Sequence, residues 1–499
     1  MPPPETATEG TKTTPPSPSA QTWRWVVPVL AGVVIALTPA PAGLTAQAWH
    51  YFAAFAAVIL ALITEPMAAA AVGLIGVTFT AVSGLAFTPA QLADPAFKPP
   101  AEAVKWALAG FANSTVWLIF AAFVFSMGYE KTGFGRRIAL VLVRWLGRRT
   151  LGLGYAIALS DLVLAPFTPS NTARSGGTVY PVIRNIPPLY GSLPGETSRR
   201  IGAYLMWTAF ATTCVTSSMF VTALAPNLFA LELVKKATGV EVTWVQWFVG
   251  FLPVGVFLVL LVPWLAYKIY PPEIRTSEEV PRWAAQEIEK MGPLSRKEIT
   301  MAALVLGALG FWIFGANVID ATMVAVAGIA GMLLCQVVTW DDIVANKPAW
   351  NVLAWFATMV TMADGLSKAG FVVWVGKGAA GLLTGYSPIV VMTMLVAFFF
   401  LIHYMFAGLT AHTTAVLPAV VAAGAAVPGI PLRDFGLLLV FTLGIMGVLT
   451  PYACGPAPVF FGSGYIPRKD FWRLAFIFGM IFIVTLLVIG MPWLRVIGR

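Results

Sequence analysis

The sequence predicts an all-α polytopic membrane protein, with about 11 transmembrane helices and two re-entrant helical hairpins. Three observations carry that expectation. Of the 499 residues, 58% are hydrophobic and only 11% charged, with a mean hydropathy of +0.81. Soluble domains carry about a quarter charged residues, so this chain has too little charge to cover the three or so soluble domains that its length would allow. Long charge-free stretches recur along it, at 25–64, 66–93, 106–129, 201–231, 242–267, 299–319, 321–340, 378–432, 435–467 and 474–494. None shows the ten-residue alternation of a membrane barrel. The net charge of +9 sits in short clusters between apolar runs, the pattern of headgroup contact and of the positive-inside rule, so no nucleic-acid partner is expected. Three cysteines cannot build a disulfide framework, and Cys214, Cys335 and Cys454 read as buried free thiols. With no paired cysteines and three histidines, no resident metal or cofactor is expected.

Along the chain, residues 1–22 are rich in Pro, Thr and Ser and read as a disordered tail, without the basic start and apolar middle of a signal peptide. The stretch 25–64 is long enough for two crossings. The cluster Lys131, Arg136, Arg137, Arg144, Arg148 and Arg149 interleaves with Ile138, Leu140, Val141, Leu142, Trp145 and Leu146, as in a helix lying in the cytoplasmic interface. Next, 152–186 holds two apolar arms, about 152–166 and 172–186, each too short to span. Between them Pro166 and Pro169 stop the first arm and Ser170 is suited to cap the second, which describes a hairpin with a polar tip at Ser170, Asn171 and Thr172. A second polar island covers Thr212 to Ser218, including Thr216 and Ser217, and is followed by Ala225, Pro226 and Asn227. The loop 269–298 carries six acidic and five basic residues and must lie in water or at the interface, with a short surface helix over Val280–Met291.

The second half repeats these devices. Glu130–Phe134 matches Ser367–Phe371 at an offset of 237, Ser170–Thr172 matches Ala411–Thr413 at 241, and Cys214 matches Cys454 at 240. A second hairpin therefore turns at Gly408 to Thr414, and a second broken helix passes through Thr450, Pro451, Tyr452 and Gly455 to Pro458. Two structural repeats are a common build for secondary transporters. Non-helical backbone in a membrane must be covered by protein or line a cavity. Broken helices turn their N-termini, with free N–H groups and positive dipole ends, toward such a cavity, which favours an anion over a cation. Ser/Thr-rich stretches also serve ordinary helix packing, but four islands at paired positions outweigh that reading. Arg174, one turn after Asn171, and His412, at the repeat position of Asn171, are the charge carriers nearest the tips. Asp161 and Asp364 fit either an ion site or a water-facing position.

The run Ala165 to Arg174, followed by Tyr180–Tyr190, Val262–Tyr267, Trp340–Ile343, Thr410–Thr414, Leu449–Tyr452, Gly455–Pro458 and Phe461–Tyr465, resembles the divalent anion/sodium symporter superfamily. Within it, the chain is most similar to bacterial citrate/succinate and tartrate/succinate antiporters and plastid 2-oxoglutarate/malate translocators. The resemblance covers nearly everything from residue 23 onward. It implies a homodimer working by an elevator mechanism, with two inverted repeats split into scaffold parts at 23–149 and 299–377 and transport parts at 150–268 and 378–499. It also implies that the paired Ser-Asn-Thr motifs at the hairpin tips bind substrate carboxylates and, in sodium-coupled members, sodium. Here the first motif is intact, whereas Ala411, His412 and Thr413 replace the second.

A hard cation needs several oxygen ligands, so that departure weakens a sodium site. Arg174 or His412 would supply the positive charge instead. A fixed cation cannot leave with the substrate, and an uncompensated buried charge makes empty return costly. The expected function is therefore exchange of di- or tricarboxylates across the inner (plasma) membrane, with the N-terminus and 269–298 cytoplasmic. The expected substrate contacts are Ser170, Asn171, Thr172, Arg174, Thr216, Ser217, Ser218, Ala411, His412, Thr413, Thr450, Pro451 and Tyr452. A sodium-coupled symporter and an anion channel are the alternatives, and an enzyme lacks a nucleophile–base pair. The residues leave succinate, malate, tartrate, citrate, 2-oxoglutarate and sulfate open.

Overall fold

A computed structural model describes residues 18–276, 278–315, 317–383 and 385–498. The tail over 1–17 lies outside the described residues, and the rest of the expected tail belongs to a helix, α1 (Pro18–Leu37). Among the described residues the secondary structure is helical, apart from one isolated bridge between Arg149 and Thr276.

The chain continues through α2 (Ala46–Thr64), α3 (Ala69–Val82), α4 (Pro99–Leu108), α5 (Ser114–Thr132) and α6 (Phe134–Leu146). The first hairpin is α7 (Thr150–Leu164) and α8, which is π-helical over Thr172–Val179 and α-helical over Tyr180–Ile183. A broken helix follows as α9 (Gly202–Met219) and α10 (Ala225–Thr238), then α11 (Trp244–Ile269) and the surface helix α12 (Glu279–Met291). The second half runs α13 (Arg296–Phe314), α14 (Ala321–Leu334), α15 (Lys347–Lys368) and α16 (Phe371–Leu383). Its hairpin is α17 (Pro388–Leu401) and α18 (Leu409–Ala425), its broken helix α19 (Leu432–Ile445) and α20 (Pro456–Gly462), and α21 (Arg468–Thr485) continues through a π-helical turn (Leu486–Gly490) into a last helical segment (Met491–Ile497).

The element order thus repeats, α2, α3 and α5 to α11 being matched by α13 to α21. The packing is reciprocal. Helix α3 lies on α15 as α14 lies on α5, and α10 packs on α18 as α20 packs on α8. The counterparts α5 and α15, and α9 and α19, also pack on each other. Pairing of this kind is what a two-fold relation between repeats produces.

Among the described residues, six helices are long and apolar enough to cross a membrane, and the pair Pro99–Ala112 and Ser114–Thr132, bent by 45°, makes a seventh. Shorter apolar helices, Ala69–Val82, Ala321–Leu334 and Leu409–Ala425 among them, fall below that length. The first arm of each hairpin passes it, over Thr150–Phe167 and Pro388–Met405, because a further helical turn extends each to the tip. These arms are longer than the apolar pattern predicts.

Helix α6 differs from the expected interfacial helix. Its Gly135, Ala139, Leu140 and Val143 are buried against α7 and α12, while Trp145 stays 72% exposed. Arg136 pairs with Glu287 of α12 at 2.7 Å. Buried Arg137 meets Glu298 through two bonds of 2.5 and 3.3 Å. Protein covers part of the apolar face, with Trp145 and Leu146 left exposed, and the basic face clamps the polar loop. Cys335 is exposed, contrary to expectation, because it caps the end of α14 rather than facing its packed side; Cys214 and Cys454 are buried.

Candidate functional site

Each hairpin tip is built by local chemistry. In the first, Pro166 sits in the turn Ala165–Phe167 that ends the first arm, and Ser170 Oγ accepts the Ala173 N–H at 3.2 Å, capping the return arm. The second turns at Gly408, whose φ of +133° suits glycine alone. The break of the first broken helix is stitched to the first tip: the Ala225 N–H donates to Pro169 O at 2.7 Å, and Thr222 Oγ1 to Pro166 O at 2.5 Å. Asn227 Nδ2 donates to Ser217 O at 2.7 Å across the same break.

Both tips and both breaks meet at one cavity of about 400 Å³. Its walls include Pro169 to Thr172, Leu224 to Pro226, Ala407 to Ala411 and Gly455. These are the N-terminal ends of α8, α10, α18 and α20. Proline in the first turn of α10 and α20 removes an N–H that would have no helical partner there. The lining contains no Lys, Arg or His, and its one charged residue is Glu65. Asn171 is buried, and its Nδ2 has no hydrogen-bond partner, which leaves two N–H donors on the wall of a cavity without a basic side chain.

The structure brings four of the expected contacts to this wall, Ser170, Asn171, Thr172 and Ala411, together with Thr410 beside the second motif. None of the others lines it. Arg174 is fully buried. Its Nε faces Asp161 Oδ2 at 3.1 Å, Nη1 donates to Thr168 O and Ala223 O at 2.9 Å each, and Nη2 to Ser217 Oγ at 3.0 Å. Thr216 donates to the same Asp161 oxygen. Thr216 and Ser217 thus surround the guanidinium, which ties the first tip to the first break. Arg174 is already compensated by Asp161, which corrects the expectation of an uncompensated charge there. Ser218 Oγ donates to Phe441 O at 2.8 Å and accepts the Ile445 N–H at 3.1 Å, joining α9 to α19 where Gly444 allows their close approach.

In the second repeat the tie is made by histidines. His412 Nδ1 lies 2.9 Å from His403 Nδ1, and His403 Nε2 lies 3.0 Å from Ala453 O in the second break. A carbonyl only accepts, so His403 carries its proton on Nε2; with both rings neutral, His412 Nδ1–H donates to His403 Nδ1. His412 Nε2 is left buried without a partner. Thr413 Oγ1 bonds back to Leu409 O, Thr450 Oγ1 accepts the Tyr452 N–H, and Tyr452 turns away to Tyr404 O and Trp472. Asp364 pairs with Lys368 at 2.8 Å, away from the cavity.

The other wall comes from Leu62, Glu65, Phe123, Val352, Trp355 and Phe356. Sequence reasoning missed these residues: the apolar ones in ordinary spans carry no local signal of a cavity, and Glu65 reads simply as the charged end of the apolar run 25–64.

Comparison with known proteins gives consistent results. The family described as the sodium:sulfate symporter transmembrane region matches residues 19–499. A protein of Escherichia coli (strain K12) described as an L-tartrate/succinate antiporter is 51% identical over 483 residues, 96% of this chain and 99% of its own. One of Shigella sonnei (strain Ss046) with the same description matches to the same extent. Among solved structures, the Alcanivorax borkumensis YdaH transporter has a TM-score of 0.55 at 14% identity, covering 79% of this chain and 89% of its own. Neisseria gonorrhoeae MtrF has a TM-score of 0.50 at 12% identity, covering 97% and 96%. At those identities the likeness is one of fold.

Proposed function

The chain belongs to the sodium:sulfate symporter transmembrane family, and from that premise we propose that it exchanges dicarboxylates, of the L-tartrate and succinate type, across the inner membrane. The observation that carries this reading is the convergence of four helix N-termini on one cavity without a basic side chain. Each N-terminus carries a positive dipole end, of about +0.5 charge in a full-length helix, so the four favour an anion against the one carboxylate of the lining, Glu65. Asn171, the hydroxyls of Ser170, Thr172 and Thr410, and the free N–H groups of the helix ends hydrogen-bond the carboxylates. A volume of about 400 Å³ suits a ligand of this size.

Coupling follows from what holds the tips. Arg174 gathers the carbonyls of Thr168 and Ala223, oxygens of the kind that a hard cation takes. The His403–His412 pair does the equivalent for the second tip. Neither group dissociates, so the protein carries its own ties and needs no sodium. The four positive ends stay with the carrier, and an anion has to occupy them in both directions. The moving unit is the pair of hairpins with their broken helices (150–268 and 378–499). The scaffold is 23–149 and 299–377, a second copy completes a homodimer, the chain crosses about eleven times, and the positive-inside rule favours 269–298 on the cytoplasmic side.

Counterflow in proteoliposomes tests the reading. Vesicles loaded with unlabelled succinate should accumulate labelled L-tartrate or succinate, and a panel of unlabelled acids outside ranks the substrates. Sulfate or a monocarboxylate competing as well as the C4 dicarboxylates would overturn it.

A further inference from the structure

Helix α10, whose N-terminus forms part of the cavity wall, carries two polar side chains one turn apart that reach outside its own unit. Glu232 is 9% exposed. Its Oε1 accepts from Asn113 Nδ2 at 2.8 Å and its Oε2 from Thr115 Oγ1 at 3.3 Å. Both partners stand at the start of α5, which Asn113 also caps through the Val116 N–H. Lys236 Nζ donates to Val360 O at 3.1 Å and lies 3.8 Å from Asp364 Oδ1, both on α15. So α10 is held at two points to α5 and α15, the equivalent helices of the two repeats. Its own counterpart, α20, reads Pro456-Ala-Pro-Val-Phe-Phe-Gly462 and has no charged side chain to do the same. Among the described residues, α20 makes no charged attachment of this kind.

We infer that Glu232 and Lys236 clasp the substrate-carrying unit to the scaffold in the position seen here, and that release of this clasp sets the maximal rate of exchange. The inference rests on the moving-unit reading above. If α10 shifts against α5 and α15, both attachments break together. A carboxylate and an ammonium are then left among packed helices, and hydrogen bonds to charged groups are among the stronger ones to break. The substrate contacts lie at the other end of α10 and travel with it. The pair therefore acts on translocation and not on affinity: these are positioning residues, not binding ones.

Initial counterflow rates at saturating substrate, with half-saturation concentrations, test this in Glu232→Ala, Lys236→Met and the double variant. Each single variant should exchange about tenfold faster, as loss of one charge-assisted attachment implies, and the double variant faster still, with half-saturation changed less than about twofold. Glu232→Gln keeps an acceptor for Asn113 and should fall between wild type and Glu232→Ala. An unchanged or lower maximal rate in properly inserted protein, or a shift confined to half-saturation, overturns the inference. If the alanine variant fails to insert, Glu232→Gln with Lys236→Met decides on the same readings. A wild-type chain without counterflow would instead defeat the exchange reading on which the clasp depends.

Discussion

Asn171 and Arg174 are three residues apart and have opposite situations. Asn171 has a buried amide without a partner at the cavity, whereas Arg174 is fully partnered behind it. Asn171→Ala should therefore abolish counterflow while the protein still inserts and keeps its thermal stability; near-normal flux would remove it from the site. Arg174→Met should act on stability first. Removing one member of a buried ion pair costs about 3–5 kcal/mol, since the other charge is left alone. Asp161→Asn made together with Arg174→Met should recover part of that loss, measured as the unfolding temperature in detergent. Two independent losses that simply add would show that the pair is not coupled. The polar tip was legible because prolines and a capping serine mark it in the chain. The role of Arg174 was only half legible: its place one turn after Asn171 is a fact of spacing, but its partner Asp161, 13 residues back, is supplied by the hairpin fold.

At the scale of elements, the hairpins and broken helices could be read because proline and glycine interrupt apolar runs there. The π-helical return arm over Thr172–Val179 could not, since nothing in its composition distinguishes i+5 from i+4 bonding. Nor could the covering of α6 by α12, which joins segments about 150 residues apart through Arg136 and Glu287. That contact has a pH signature. The hydrogen bond from Lys290, with the nearby Arg136 charge, holds the Glu287 carboxyl below the usual range. A lowered folded value means that its stabilisation is present at neutral pH, above the unfolded value of about 4.3, and is lost as pH falls through the folded value. An exposed pair is worth about 0–1 kcal/mol, so the effect should be local. Hydrogen exchange in α12, corrected for the intrinsic rate, should quicken on acidification below that value. Arg136→Ala should bring part of this increase to neutral pH, and identical protection in both proteins would dissociate the pair from docking. The α9–α19 crossing offers a steric counterpart. A Cβ at Gly444 would overlap Ser218, so Gly444→Val should cost about 1–3 kcal/mol as overpacking, read from the unfolding temperature.

The whole molecule determines whether the carrier can return empty, and here the repeat pairing matters more than any one residue. Two hairpin tips and two breaks come together only because each repeat packs on the other, so the cavity could not be assembled from either half of the sequence. Its positive ends are backbone, part of the fold, and nothing removes them when the substrate leaves. The ties behind them, Arg174 with Asp161 and His403 with His412, are covalent parts of the chain and cannot leave as sodium ions would. Three outcomes follow in proteoliposomes loaded with labelled succinate. Without an external anion the label should stay inside; external L-tartrate should release it at once; and replacing sodium by potassium on both sides should change neither result. Because two dianions cross in opposite directions, no net charge moves, so a potassium diffusion potential should leave the exchange rate unchanged. Sodium-dependent uptake into vesicles holding no anion would mean that the empty carrier does return, and the fixed ties would then have to be reassigned as purely structural. Release of label into anion-free buffer, with a current that follows the potential, would identify a channel in place of a carrier.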